Sequence, residues 1–276
     1  MVGYTPAMAR RSATREGEAT RSYTEILAQE MKQGERELDR QAGGLLTSGA
    51  SAGLDLGFSV LVMAVLISLI GDELPRSVRE ILVANGYAVG FVIVILGRSE
   101  LFTEHTTLAV LPVLAGRATL SQLARLWTLI YVSNLFGAAV FAGLVVVIAP
   151  ALGVAEESTF VTIAHPLVHH PWWTILLSAM LAGWLMGLLS WLVAAGRDTI
   201  SQVVFVWLIT FSIGIAKLHH SIAGTVEVLA GIFAGGPFGG LDFLHFLVWT
   251  TLGNAFGGVI FVALIKYGHV VQAEQE

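Results

Sequence analysis

The sequence predicts an all-α membrane protein with six transmembrane helices in two inverted three-helix repeats, the second and fifth helices broken. Three observations predict this. Of 276 residues, 55% are hydrophobic and only 13% charged, with a mean hydropathy of +0.75; a soluble domain carries about 25% charged residues. Six apolar segments follow a polar tail, at 50–71, 81–115, 121–149, 172–195, 200–235 and 241–268. Ionisable residues interrupt the second and fifth of these, in Arg98-Ser-Glu-Leu-Phe-Thr-Glu-His105 and Lys217-Leu-His-His-Ser-Ile-Ala-Gly224.

Residues 1–49 form the tail, with seven basic side chains (Arg10, Arg11, Arg15, Arg21, Lys32, Arg36, Arg40) against seven acidic ones. Within residues 24–40, Ile26, Leu27, Met31 and Leu38 recur among charges, which predicts an amphipathic helix on the cytoplasmic surface. The stretch from Met1 to Arg11 lacks the apolar core of a removable signal peptide. The channel domain is expected over 50–268, and 269–276 is a short C-terminal tail.

The second and fifth segments are too long and too interrupted for single helices. A charge at the bilayer centre costs roughly 2.5–3.5 kcal/mol on insertion scales, so intramembrane charges face a protein-lined path or a partner. Irregular backbone at that depth is tolerated only where protein or a water-filled cavity satisfies it. The breaks near 98–105 and 217–220 therefore predict a cavity. Arg98 and Lys217 either raise the potential for anions there or are neutralised locally, Arg98 by Glu100 or Glu104 and Lys217 by Glu227.

Asn134 in Ser-Asn-Leu-Phe-Gly and Asn254 in Gly-Asn-Ala-Phe-Gly lie 120 positions apart, and Arg98 and Lys217 lie 119 apart. The halves read as copies. Three spans per half is an odd number, so the copies are inverted and their shared site falls near the midplane. Gly137, Ala138, Gly257 and Gly258 after each asparagine suit close helix approach. Arg117, Arg125, Arg197 and Lys266 share a side with the tail, whereas Arg76 and Arg79 face the other, which predicts cytoplasmic N- and C-termini.

Several chemistries find no support. Without cysteine there is no disulfide, thiolate catalysis or Cys-ligated zinc. No phosphate-binding glycine loop or H-E-x-x-H pattern occurs; we expect no enzyme activity, cofactor, metal or nucleic-acid partner. His165-Pro-Leu-Val-His-His-Pro171 reads as a solvated external loop, with metal binding the lesser alternative. Tryptophans such as Trp172, Trp173 and Trp249 fit interfacial anchors.

Ser99-Glu-Leu-Phe-Thr, Gly116-Arg-Ala-Thr-Leu-Ser-Gln-Leu-Ala-Arg-Leu-Trp127 running into Ser133-Asn-Leu-Phe-Gly, His220-Ser-Ile-Ala and Gly253-Asn-Ala-Phe-Gly-Gly together resemble the formate/nitrite transporter family over residues 40–268. Leu101-Phe-Thr-Glu-His-Thr, Ala109-Val-Leu-Pro-Val, Gly34-Glu-Arg-Glu-Leu-Asp-Arg and Gly224-Thr-Val-Glu resemble its divergent YfdC-like branch. The resemblance implies an aquaporin-like fold, a homopentamer in the inner membrane, and one pore per protomer. It further implies a constriction at Leu101 and Phe102, a polar lining at Thr103, a central His220 and a pore-side Asn254. Typical members have a glutamate before the central histidine and an asparagine four residues after it, where this chain has His219 and Gly224.

The expected solute is a small monovalent anion or its conjugate acid, crossing passively or linked to a proton. A bare anion in low dielectric is costly unless charge or hydrogen bonds compensate, and an imidazole supplies either a charge or a proton. The alternatives are an aquaporin-like pore for small neutral solutes and a non-conducting pentameric scaffold.

Overall fold

From Ala42 to Ile70 the chain carries a single charge, Asp55, in 29 residues. At 1.5 Å per residue such a helix exceeds the ~30 Å hydrocarbon thickness of a bilayer. The computed structural model describes residues 21–71 and 73–273. Tail helix α1 (Tyr23–Leu38) comes first, then α2 (Ala42–Ile70), α3 (Arg76–Gly97), α4 (Phe102–Leu108), α5 (Val110–Leu114) and α6 (Leu120–Ala151). There follow α7 (Glu157–Val168), α8 (Trp172–Ala195), α9 (Thr199–Ile215), α10 (Ser221–Phe233) and α11 (Gly240–Phe256). The last helix runs on through a π-helical stretch, Gly257–Leu264, into α12 (Ile265–Ala273). Five helices are long and apolar enough to cross a membrane: α2, α3, α6, α8 and Gly240–Val270.

α2 packs along α3 and α6, and α8 along α11 and the π-helical stretch. Small residues permit the close approach. A Cβ on Gly53 of α2 would lie 2.2 Å from the Asn134 carbonyl oxygen of α6, and one on Gly183 of α8 would lie 2.1 Å from that of Asn254. Backbone thus meets backbone at corresponding places in the two halves. In a bilayer, where lipid tails already satisfy apolar surface, such contact and the dispersion it yields are what join helices.

α3 and α9 end alike. The Ser99 amide donates to Val94 O (3.1 Å) and Arg98 to Ile95 O (3.4 Å); Leu218 donates to Ile213 O (3.0 Å) and Lys217 to Gly214 O (3.1 Å). This is the double bond of a Schellman terminus, whose left-handed position usually falls to glycine. Here Arg98 (φ 60°) and Lys217 (φ 52°) hold it. A β-carbon in that region costs about 1–2 kcal/mol, so both breaks retain a basic side chain at an energetic cost.

The structure revises several expectations. The first apolar helix starts at residue 42 instead of 50. The 165–171 stretch is no plain loop, because α7 runs to Val168 and the His165 and His169 rings stack at 3.7 Å. Among the described residues no group of three or more His, Asp or Glu side chains stands ready to hold a metal. Helix 24–40 is present as α1, opened by Ser22 with a capping box to Glu25. Its apolar face does not lie in a lipid surface: Ile26, Leu27, Met31 and Leu38 are buried with Leu189, Trp191 and Ala194 of α8. Arg21 donates to the Ala194 and Gly196 carbonyls, Arg125 to Arg40 O (3.0 Å), and Arg117 pairs with Glu35 (3.2 Å).

Replacing Gly183 by Ala should push α8 from α11 and lower stability by ~1–3 kcal/mol. Thermal melting of the detergent-purified protein reads this as a fall in Tm; an unchanged Tm contradicts the close packing.

Candidate functional site

Around each helix end several peptide groups lack helical hydrogen-bond partners, and two buried asparagines supply those of Glu100, Phe102, His219 and Ser221. Asn134 Oδ1 accepts from Phe102 N (2.9 Å), while its Nδ2 donates to Gly49 O and Glu100 O (both 2.8 Å). Asn254 Oδ1 accepts from Ser221 N (2.8 Å), while its Nδ2 donates to Ala179 O (2.8 Å) and His219 O (3.0 Å). Both are fully buried. An asparagine at each place supplies one acceptor and two donors, which is what a break needs. Asn254 is therefore not at the wall of either cavity described below: its amide is spent on backbone.

The second break positions His220 as N-cap of α10. Its Nδ1 accepts from Ala223 N (3.2 Å) and its Nε2 lies 2.9 Å from Thr103 Oγ1 on α4. With Nδ1 accepting, the proton sits on Nε2, so a neutral imidazole donates to Thr103. Phe91 of α3 holds the ring edge-on, at 5.1 Å between centroids and 90° between planes. Thr103 and His220 are buried (0% and 1% exposed) and join the two breaks across 117 residues of chain.

His220 lines one cavity, and a second holds Glu104, the neighbour of Thr103 in sequence. One, of about 220 Å³, is lined by His220, Gly224 and Glu227 of α10, Tyr87 and Glu80 of α3, and Lys217, among others. The other, of about 500 Å³, opens under α1 and is lined by Arg98, Ser99, Glu100 and Glu104 with Lys32 and Arg36 of the tail helix. Thr103 lines neither cavity; its neighbour in sequence, Glu104, lines the second.

Of the residues singled out in the sequence, Thr103 and His220 meet. Leu101 (0% exposed) and Phe102 (4%) lie in the core beside them, Phe102 edge-on to Tyr131 at 4.8 Å; neither lines either of these two cavities. His219 turns from His220: its Nδ1 lies 2.9 Å from Ser178 Oγ, and its ring meets His170 edge-on at 5.9 Å. The charge pairing differs from both sequence alternatives in its partners. Lys217 pairs with Glu80 (2.9 Å), not Glu227, and Glu100 pairs with Arg40 (2.6 Å) and His105 (2.5 Å), not Arg98. Arg98 and Glu104 share the larger cavity. Sequence reading passed over His105, Arg40, Glu80, Glu30 and any cavity role for Glu227. Only the i, i+7 spacing of His220 and Glu227, which places them on one helical face, was available as a signal.

Glu30 on α1 is 2% exposed and accepts from Ser190 Oγ of α8 (3.1 Å). Burial pushes its carboxyl up to about 8; the Glu104 charge adds to the rise and the Ser190 hydroxyl opposes it.

An all-helical fold with five helices long and apolar enough to cross a membrane, and a buried polar contact whose imidazole lines a cavity, defines the class. The family model described as formate/nitrite transporter matches residues 24–268, and the chain belongs to that family. Its likeness runs to the YfdC-like branch: it is 33% identical over 242 residues to the inner membrane protein YfdC of Escherichia coli (strain K12), covering 86% of this chain and 75% of the relative. Among solved structures, a chain titled FNT family ion channel superposes with TM-score 0.80 at 23% identity, covering 89% of this chain and 99% of that one. A pentameric formate channel with formate bound superposes with TM-score 0.74 at 21% identity, covering 83% and 98%.

Two outcomes follow from the geometry. Asn254→Ala leaves three backbone groups without partners, at about 1–3 kcal/mol each, and should cost more in Tm than any single hydroxyl removal nearby, such as Thr225→Val; the reverse order in a melting series contradicts the clamp. Because the Glu30 carboxyl titrates higher in the fold than unfolded, its contribution to α1 docking is complete below about pH 4.5 and is lost as pH rises through about 8. Protection factors of residues 23–38, that is, exchange corrected for the intrinsic rate at each pH, should fall over that range in the wild type and stay flat in Glu30→Gln.

Proposed function

We propose that this protein is a membrane channel or transporter for small monovalent anions of the formate or nitrite type, or their conjugate acids. The observation that carries the reading is the buried Thr103–His220 contact, whose imidazole lines a cavity, at the meeting point of two helix breaks. Membership of the formate/nitrite transporter family supports the solute class. In this reading α3 with α4 and α5, and α9 with α10, are the second and fifth of six spans, each broken, and the halves are inverted repeats. The matched hydrogen bonds of Asn134 and Asn254 support that symmetry.

The assembly is a homopentamer in the inner membrane with cytoplasmic termini, a reading supported by the pentameric structural neighbour, the inner-membrane relative and the basic residues clustered on the tail side. Apolar outer faces, such as Phe136, Leu144, Leu252 and Phe256, suit lipid or a neighbouring protomer. The tail domain 1–49 covers the inner mouth through α1, and 269–276 ends the chain.

His220 is the central residue. Its Nε2–H leaves the Thr103 hydroxyl free to donate its own proton to a solute oxygen, so a carboxylate or nitrite replaces lost hydration with a hydrogen bond. Proton linkage through the imidazole requires Nδ1 to release the Ala223 amide, and a solute-coupled proton then passes by Nε2. Leu101 and Phe102 keep this passage dry, and Arg98 at the first break draws anions toward it, while Lys217 is paired with Glu80.

Reconstitution in proteoliposomes with formate or nitrite gradients tests the proposal. We expect saturable flux in the wild type and a fall of roughly tenfold or more in His220→Ala, equivalent to about 1.4 kcal/mol of barrier. Flux indifferent to the substitution overturns the role of the histidine.

A further inference from the structure

On the short helix α4, Thr103, Thr106 and Thr107 stand at i, i+3 and i+4, on one helical face. All three are buried, at 0%, 0% and 1% exposed. Each hydroxyl has a different partner. Thr103 Oγ1 meets His220 Nε2 (2.9 Å), and Thr106 Oγ1 donates back to Thr103 O (2.7 Å). Thr107 Oγ1 leaves its own helix and donates to Gly258 O (3.1 Å), 151 residues further along the chain.

The place it enters is shaped by missing side chains. A Cβ on Gly258 would lie 2.2 Å from Thr106 Oγ1 and 3.1 Å from Thr107 Oγ1, and one on Gly187 of α8 would lie 2.5 Å from Thr107 Oγ1. Gly187 and Gly258 thus form a notch for the two hydroxyls. The last helix turns π-helical at Gly257, beside the accepting carbonyl. Such a departure arises where a side chain enters the helix's own hydrogen-bond ladder. The other half supplies a comparison. The offset between Arg98 and Lys217 takes Thr107 to Val226 of α10, and that between Asn134 and Asn254 takes Gly258 to Ala138 of α6. Val226 and Ala138 share one apolar cluster, valine brings no hydroxyl, and α6 stays α-helical from Leu120 to Ala151.

We infer, on the channel reading above, that Thr107 is a positioning residue for the Thr103–His220 contact: its bond to the Gly258 carbonyl fixes the rotation of α4 and with it the direction of the Thr103 hydroxyl. The other ties on α4 do not act on this face. Asn134 holds the first turn through Phe102 N, and Trp127 and Glu100 bind His105, which points to the far side of the helix from Thr103. Thr107 stands one turn beyond Thr103 on the same face, where a tie to the last helix stops the short helix from rocking. A rotation that moves Thr103 Oγ1 by about 1 Å takes a 2.9 Å contact out of hydrogen-bond range.

Formate flux in proteoliposomes tests this with Thr107→Val, which keeps the shape and, like Val226 in the other half, lacks the hydroxyl. Flux should fall by up to roughly tenfold, the effect of one hydrogen bond on a barrier, and Thr107→Ser should restore it to within about twofold. In a Thr103→Val background, itself slowed, adding Thr107→Val should change nothing further, because the hydroxyl it aims is gone. Thr107→Ala replaces the valine variant if that one does not assemble. Wild-type flux in Thr107→Val overturns the positioning role, and so does an equal fall in both backgrounds, which marks the bond as serving assembly alone; either result leaves the channel reading standing. Unchanged flux in Thr103→Val takes the contact out of the path and the positioning role with it. Absence of formate and nitrite flux from the wild type removes the channel reading itself.

Discussion

A peptide group left without a partner away from water costs several kcal/mol, and this chain ends helices at Gly97 and Ile215 with buried backbone beyond each. The asparagine clamps resolve that constraint. Asn134 and Asn254 each close three backbone bonds around a break, and almost everything else depends on them. They fix where α4 and α10 begin, and with that where Thr103 and His220 stand. They also require α2 against α6 and α8 against α11 at backbone contact, since Gly49 O and Ala179 O are clamp partners. The glycines that let those helices meet and the amides that hold the breaks are one device.

The breaks are nevertheless not equivalent chemically. At the first, Leu101 stands before the helix with no side-chain cap, whereas at the second His220 occupies that place and caps α10 through Nδ1. That single difference directs the imidazole's other nitrogen across to Thr103. The surroundings diverge likewise. The tail-side cavity lies beside a linked set, Arg40, Glu100 and His105, that keeps its charges paired, while the opposite cavity keeps one carboxylate unpartnered. Matched asparagine clamps thus frame unlike polar surroundings.

The tail helix shows how composition misleads about partners. Its stripe of Ile26, Leu27, Met31 and Leu38 would suit a lipid surface as well as a protein groove, and the groove between α5, α6 and α8 takes it. Glu30, on the same buried side, distinguishes the two: a carboxyl bound by Ser190 fits a protein seam, not an acyl chain. The sequence places Glu30 one residue from Met31 but says nothing of Ser190, 160 residues away.

The sequence by itself determined the membrane class, the places of both breaks, the pairing of Asn134 with Asn254 and the candidacy of Thr103 and His220, because hydropathy, interrupted apolar runs and a repeat are all properties of order along the chain. It also showed that charges at membrane depth need a reason. What only the tertiary structure decided was who answers them. Lys217 goes to Glu80 and Glu100 to Arg40 and His105, so Glu227 is left facing the cavity and Asn254 faces backbone instead of solute. Those assignments turn on distances of a few ångströms, for Lys217 with Glu80 and Glu100 with Arg40 between residues 60 or more positions apart, and electrostatic and hydrogen-bond energies fall off over such distances whatever the spacing in sequence.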